Sequence, residues 1–337
     1  MAHDVFRLAI IGAGGIANAH SAAVKASGGR LSIVAVADVD AANRQKLAES
    51  AGAQAFPGVK ELLKAIKAGF GVDGAVVCTP PFARVDIVTA LLKAGIPVLS
   101  EKPIAHTAAD AKKLASLAKK HKKVFTAVGY CHRFAPAVNR MKALVSGGKI
   151  GSLVRFENVF ACDLPGHGQK WFSDPKKAGG GAYIDMGSHS VDLLHYVVGP
   201  AKTVGAIFHH KWKGRSESEA TVLLKSLKPG PTANIPAGVG ALIESGWAET
   251  SRFTVTLVGD QGMLFYDYEK PAELIFKDLV GKVEVMPVEE HGVRFQRQLE
   301  AFADAVQKKA KTNLASFADG LAANLAVAAA QKLAAKK

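Results

Sequence analysis

VFRLAIIGAGGIANAHSAAVKAS, residues 5–27, decides the architecture. The apolar run 5–12 ends in glycine, as a strand buried on both faces of a parallel sheet does. Residues 15–27 read as a helix. Between them lies GAGGIA, Gly12–Ala17, with the form G-x-G-x-x-A. A glycine loop that follows a strand and opens a helix has the context that makes this motif a dinucleotide-binding signal. Gly12 permits the tight turn, Gly14 lets the backbone approach a pyrophosphate, and Ala17 allows close helix–strand packing. Gly15 and Ile16 start the helix, whose N–H groups and dipole suit phosphate. A βα turn without ligand is the plainer alternative.

Working outward, LSIVAVAD (31–38) is a second strand that ends in Asp38. A carboxylate there can accept both ribose hydroxyls of an adenosine and repel the 2′-phosphate of NADP. Arg44 and the basic surface pull the other way, so NAD is expected with NADP as the alternative. Asp38 could also serve as a helix cap or turn acid. Further strands at 74–81, 97–103 and 123–130 alternate with helices at 41–52, 59–66, 84–95 and 108–121. That alternation implies a doubly wound parallel sheet. Ligands sit in the crevice at the carboxyl ends of such strands. Thr79 and Pro80 of CTPP, and Glu101 and Lys102 of SEKP, are expected there, the latter pair beside the nicotinamide. An ion pair of Lys102 with Glu101 is the alternative, although neighbours on a strand point to opposite sides. Pro103 is open to a cis bond, the minority X–Pro state, which would fix the turn.

Beyond a helix at 136–146 the texture changes. LVRFENVFACD (153–163) is a longer strand, and TVGAIFHHKW, EATVLLKSL, GVGALIESGWAE, RFTVTLVGD, GMLFYDY and AELIFKD follow without intervening helices. Several alternate apolar and polar residues, as a sheet with one covered face should. TVTLVGDQGMLFYD reads as a hairpin through GDQG. Helical stretches at 293–310 and 316–335 close the chain. The expected division is 1–125 and 126–337, with the closing helices able to pack back on the first domain.

Bulk composition limits the classes. The chain has 337 residues and 49% hydrophobic content, enough for two globular domains. No apolar run reaches the ~20 residues of a membrane span, and the N-terminus lacks a secretory pattern, so a cytoplasmic protein is expected. Three cysteines, Cys78, Cys131 and Cys162, do not make a disulfide framework. The net charge of +14 comes from lysines spread along helical stretches without interleaved aromatics, which favours anionic small ligands over nucleic acid.

GGGAYIDMGSHSVD, residues 179–192, opens a helix on its most flexible entry point. Asp185, His189 and Asp192 are spaced four and three apart and share one helical face. Each alone could be an exposed polar residue. As a set beside glycines that permit a ligand to approach, they suggest a site. D-x-x-x-H can place two ligands on a metal ion, but no third ligand is apparent and no metal is expected.

GAGGIA, the strand-end Asp38, CTPP, SEKP, GYCHRFAP and GGGAYIDMGSHSVD together resemble the glucose-fructose oxidoreductase / inositol dehydrogenase / rhizopine-catabolism (Gfo/Idh/MocA) family. WFSDPKKAGGG, ESGWAE and LVGDQGMLFYD extend the likeness over nearly the whole chain. The resemblance implies an α/β fold. An N-terminal Rossmann domain with a doubly wound parallel sheet precedes an α/β domain with a large, mostly antiparallel open-faced sheet. That open face implies a homodimer or homotetramer. It also implies NAD(P)-dependent oxidation of a secondary alcohol on a sugar, inositol or related polyol. The family's EKP lysine maps to Lys102, its D-x-x-x-H pair to Asp185 and His189, and its R-F-x-P arginine to Arg133, a further cofactor contact. Many members read T-P-x-x-x-H where this chain has Arg84, which would add phosphate affinity or face solvent.

An imidazole suits proton transfer near neutrality. His189 is therefore expected as general base in oxidation, with Lys102 stabilising the alkoxide. Both are expected to converge on one carbon beside the nicotinamide. Asp185 would hold the substrate hydroxyl or aim Lys102, and Asp192 would orient the helix face or His189. Trp171, with His167 and Lys170, would meet a sugar, or Trp171 would be buried between domains. Rival readings are glycoside cleavage by transient oxidation and elimination on tightly held NAD, and a non-catalytic dinucleotide-binding regulator.

Overall fold

A computed structural model describes residues 5–335 and divides the chain into two compact units. One unit runs to Cys131 and adds Val293–Leu321. It contains β1 (Phe6–Ile11), α1 (Gly15–Ala26), β2 (Leu31–Ala37), α2 (Ala41–Ala51), β3 (Gln54–Phe56), α3 (Val59–Lys67), β4 (Gly74–Val77), α4 (Arg84–Lys93), β5 (Val98–Ser100), α5 (Ala108–Lys120) and β6 (Thr126–Val128). The strands pair in parallel in the order β3-β2-β1-β4-β5-β6, the doubly wound arrangement that the alternating pattern implied. Order reverses beside β1, so the loops after β1 and β4 flank the crevice typical of such sheets. The central strands are apolar on both faces: Leu8, Ile10, Val76 and Leu99 are fully buried.

The second unit spans His132–Gly292 and adds the end of the chain from Ala322. Its elements are α6 (Pro136–Ser146), β7 (Leu153–Asp163), α7 (Pro175–Ala178), α8 (Ser188–Val197), β8 (Ala201–His209), β9 (Glu219–Ser226), β10 (Gly240–Gly246), β11 (Ala248–Gly259), β12 (Gly262–Asp267), β13 (Glu273–Asp278) and β14 (Val283–Pro287). Eight strands lie in the order β14-β13-β12-β11-β7-β10-β9-β8, with β7 and β10 parallel and every other pair antiparallel. α6 and α8 pack on one face, where Val222, Ile243, Val255, Tyr266 and Leu274 are buried. The short strands β3 and β14 have no counterpart in the sequence reading.

Two helices complete the chain, α9 (Arg294–Gln307) and α10 (Phe317–Ala334). α9 belongs to the first unit and packs on α1. Phe302 meets Phe6 edge-on at 5.7 Å, under β1. The boundary between the units falls within α10, between Leu321 and Ala322.

Candidate active site

The glycine loop is built for a ligand on one side and for the sheet on the other. Gly12 has φ +93°, and a Cβ there would stand 2.7 Å from the Thr79 amide nitrogen. No side chain fits where β1 meets the end of β4. Gly14 and Gly15 differ: a Cβ on either would enter open space. Packing within the unit therefore does not require glycine at these two positions, whereas close approach of a ligand to the backbone does. Gly14 caps α1 without a side-chain hydrogen bond. Ile16 and the fully buried Ala17 follow in the first turn.

Asp38 stands at the end of β2 and braces this loop. Its Oδ2 accepts from the Ala13 amide at 2.5 Å and its Oδ1 from the Asp40 amide at 2.8 Å. The cap of α2 is the neighbouring Asp40, which accepts from the Asn43 amide at 2.8 Å. Arg44 donates to the Asp38 carbonyl at 2.6 Å. These residues fit a dinucleotide: amides at a helix start, two glycines facing open space, and a strand-end carboxylate with a ribose-binding position.

At the end of β5, Glu101 and Lys102 part company. Glu101 is 3% exposed, and its Oε1 accepts from Nε2 of the fully buried His20 at 2.7 Å. Its Oε2 accepts from the Lys102 amide at 3.1 Å. Burial pushes the Glu101 carboxyl up, but the His20 hydrogen bond and the charges of Lys102 and Arg84 outweigh it and hold it below the usual range. The partner of Glu101 on the helix side is thus His20, which the sequence reading did not single out. The Lys102–Pro103 bond is cis. Arg84 does not face solvent: it is 3% exposed and donates to the carbonyls of Thr79 at 2.9 Å, of Glu101 and of Pro103.

In the second unit the D-x-x-x-H stretch is not one regular helix. Tyr183–Gly187 forms a π turn, and α8 begins only at Ser188. Asp185 therefore sits in the wide turn, the kind of helical irregularity that recurs at functional sites. Its Oδ2 accepts from Nε1 of the fully buried Trp247 at 3.1 Å. His189 lies against His132, ring centroids 4.7 Å apart and nearly perpendicular. His132 Nδ1 and the Tyr268 hydroxyl are hydrogen-bonded at 2.8 Å, and Phe160 packs on both rings.

The Asp192 carboxylate binds Arg133, whose Nε and Nη2 donate at 2.8 and 2.6 Å. Both are buried, and this forked ion pair joins α8 to the segment before α6. The charged end of Arg133 is thus engaged within its own unit. Trp171 stacks on Phe172 at 4.0 Å, Phe172 on His167 at 4.5 Å, and His167 leans on Trp247 at 5.1 Å. That aromatic series runs from the 165–173 loop to the Asp185 partner.

The glycines before the π turn have a different role from the ligand approach that the sequence suggested. A Cβ on Gly181 would stand 1.9 Å from the Glu217 carbonyl oxygen. Glu217 itself is buried, and its Oε1 accepts from the amides of Gly181 at 2.9 Å and Tyr183 at 3.2 Å. Burial pushes its carboxyl above the usual value despite these hydrogen bonds. His20, His132, Trp247, Tyr268 and Glu217, which brace the candidate residues and their segments, were not singled out in the sequence reading.

Both units match known proteins. Residues 6–130 match the family model "Oxidoreductase family, NAD-binding Rossmann fold", and residues 138–265 match "GFO/IDH/MocA C-terminal domain". The rhizopine catabolism protein MocA of Rhizobium meliloti is 31% identical over 242 residues, 69% of this chain and 71% of that protein. D-glucoside 3-dehydrogenase of Escherichia coli is 34% identical over 211 residues, 61% of this chain and 58% of that protein. An inositol dehydrogenase homolog from Azotobacter vinelandii, solved with NAD+, superposes with a TM-score of 0.86 at 19% identity, covering 99% of this chain and 96% of that one. That last likeness is one of fold.

Proposed function

The chain belongs to the GFO/IDH/MocA family of NAD-binding oxidoreductases, and on that premise we propose that it oxidises a secondary alcohol of a sugar, inositol or related polyol. The observation that carries the reading is in the first unit. There a glycine loop with open space at Gly14 and Gly15 shares the carboxyl ends of parallel strands with Lys102. Gly12, Gly14, Gly15, Ile16 and Ala17 would hold the pyrophosphate, Asp38 the adenosine ribose, and Thr79 and Pro80 would border the nicotinamide. Once bound, the nicotinamide supplies the hydride acceptor.

The chain's own residues manage the proton and the developing charge. Lys102 stabilises the alkoxide that forms as the hydroxyl proton is lost. His189 accepts the proton, the role imidazoles most often fill in general acid–base catalysis. Asp185 orients a substrate hydroxyl while Trp247 holds its other side. Trp171 offers a ring face to the sugar. Glu101 and Arg133 act as positioning residues, since their charged ends are engaged with His20 and Asp192. The class of substrate is supported by relatives named as glucoside 3-dehydrogenase and inositol 2-dehydrogenase.

The test is a screen of glycosides, inositols and sugar acids with NAD and NADP, followed by absorbance of the reduced cofactor. At least one polyol should give net reduced cofactor, faster with NAD. Lys102→Ala should lower turnover by about 10³-fold while NAD still binds; near-wild-type turnover removes Lys102 from the chemistry. Consumption of a glycoside with no net NADH would replace this reading with elimination chemistry.

The second unit also presents an open sheet face. Leu223, Leu242, Glu157, Thr256, Phe265, Ile275 and Val285 form a row across seven strands. Ile207, Leu223 and Val285 are 62%, 50% and 54% exposed. We propose that a second copy of the chain covers this face, making a homodimer or, by pairing of dimers, a homotetramer. Light scattering should give at least twice the 35.3 kDa chain mass; a monomer at micromolar concentration ends that proposal. With its three cysteines free, the chain fits the reducing cytoplasm.

A further inference from the structure

A guanidinium that is 3% exposed must be matched by acceptors, because an unmatched buried charge is far more costly than a buried neutral group. Arg84 meets this requirement with main-chain oxygens. Nε donates to the Thr79 carbonyl at 2.9 Å, and Nη1 donates to the carbonyls of both Glu101 and Pro103. Those last two acceptors flank Lys102. The amide of Lys102 is in turn held by Glu101 Oε2 at 3.1 Å, and Glu101 Oε1 by His20 at 2.7 Å. The main chain around Lys102 is therefore pinned at its N–H and at the carbonyls before and after it.

We propose that Arg84 is a positioning residue for Lys102, fixing through the Glu101 and Pro103 carbonyls the direction in which the Lys102 amine leaves the end of β5. The inference rests on the catalytic role proposed for Lys102. Arg84 opens α4, so the helix and the strand end are fixed as one piece by a single planar fork. The charge opposite it is the Glu101 carboxylate, which also bonds His20 from α1. One buried network thus ties α1, α4 and the ends of β4 and β5 to the placement of one side chain. No lysine could reproduce it: an ammonium is a point donor and cannot span three carbonyls on two segments as a rigid fork does. A shift of about 1 Å in a reacting group is enough to cost on the order of 10²-fold in rate.

The experiment uses Arg84→Lys and Arg84→Met in the full chain with three readouts. Turnover and NAD affinity are measured on the substrate found above. The acylation rate of Lys102 by an amine-selective N-hydroxysuccinimide ester is mapped by mass spectrometry against exposed Lys60 and Lys113. Turnover should fall about tenfold in Arg84→Lys and about 10²-fold in Arg84→Met, with NAD affinity within about threefold of wild type. The relative labelling of Lys102 should change several-fold. An unchanged labelling ratio overturns the proposal whatever happens to turnover. So does a loss of NAD affinity as large as the loss of turnover, which would mark a collapse of the whole crevice. If Arg84→Met does not fold, Arg84→Lys alone decides by the same readouts. If the wild type reduces no cofactor with any polyol, the dehydrogenase reading fails, and the labelling ratio still decides the role of Arg84.

Discussion

The two units hold their candidate catalytic groups by opposite means. Around Lys102 the supports are buried polar groups: Arg84 on main-chain carbonyls, and Glu101 on the Lys102 amide and on His20, all nearly inaccessible. Around Asp185 and His189 the supports are aromatic: Trp247, His132, Tyr268 and Phe160. A flexible lysine on a strand end has many rotamers, so a dense electrostatic frame for its backbone limits where its amine can go. An imidazole has few rotamers and a flat face, so ring packing is enough to set it. The contrast teaches that the first frame should respond to charge changes and the second to shape changes.

Each unit also buries one glutamate, and the two differ in sign. Glu101 is held below the ordinary carboxylate value, so the unfolded chain binds its proton more tightly than the folded one. Its contribution to stability is present above the unfolded pKa and lost as pH falls through the lower folded value. Glu217 is pushed above the ordinary value, so its contribution is present below the unfolded pKa and lost as pH rises through the raised one. Glu101→Gln should cost about 3–5 kcal/mol at neutral pH, because the buried carboxylate that bonds His20 and faces the charges of Lys102 and Arg84 is lost. Glu217→Gln should be neutral or stabilising there and should flatten the fall in stability as pH rises from the ordinary carboxylate range towards neutrality. Urea unfolding of both variants across pH checks the contrast; slopes of the same sign would erase it.

The glycines sharpen it further. Gly181→Ala drives a methyl into the Glu217 carbonyl and should destabilise by about 2–3 kcal/mol, more if the π turn cannot shift. Gly14→Ala places its methyl in open space and should leave the melting temperature almost unchanged while NAD affinity drops about tenfold or more. Paired melting curves and NAD titrations separate a packing glycine from a ligand glycine. Equal melting losses in the two variants would show that both are packing glycines.

The parts legible in the sequence are those that neighbours in the chain decide. GAGGIA between a strand and a helix implied a doubly wound sheet, and the alternation in β9 and β12 announced a sheet with one covered face. The supports of the site were hidden because each joins distant residues: His20 to Glu101 across 81 positions, Asp185 to Trp247 across 62 and Arg133 to Asp192 across 59. The i, i+4 rule put Asp185 and His189 on one α-helical face, but it cannot register a π turn, which depends on where the 183–187 amides find acceptors. Arg84 was ambiguous for the same reason: its three acceptors are backbone carbonyls, which carry no signature of their own in sequence.

The smallest effect tests the aromatic frame most selectively. Tyr268 is 8% exposed, and its hydroxyl shares the 2.8 Å hydrogen bond with His132 Nδ1, while His132 lies edge-to-face with His189. Tyr268→Phe keeps the ring and removes one hydrogen bond, so stability should fall by about 1 kcal/mol. His132 would then lose that hydrogen bond, and its small reorientation should pass to the His189 ring. Turnover should drop about two- to fivefold, in line with the loss of one neutral hydrogen bond. The pH–rate profile should shift with it, while NAD affinity stays as in wild type. The shift in profile is what a merely structural tyrosine would not produce. A fall in stability with an unmoved profile would mean that ring contacts alone orient His189, and the frame in this unit would then be one of shape without any hydrogen-bonded steering.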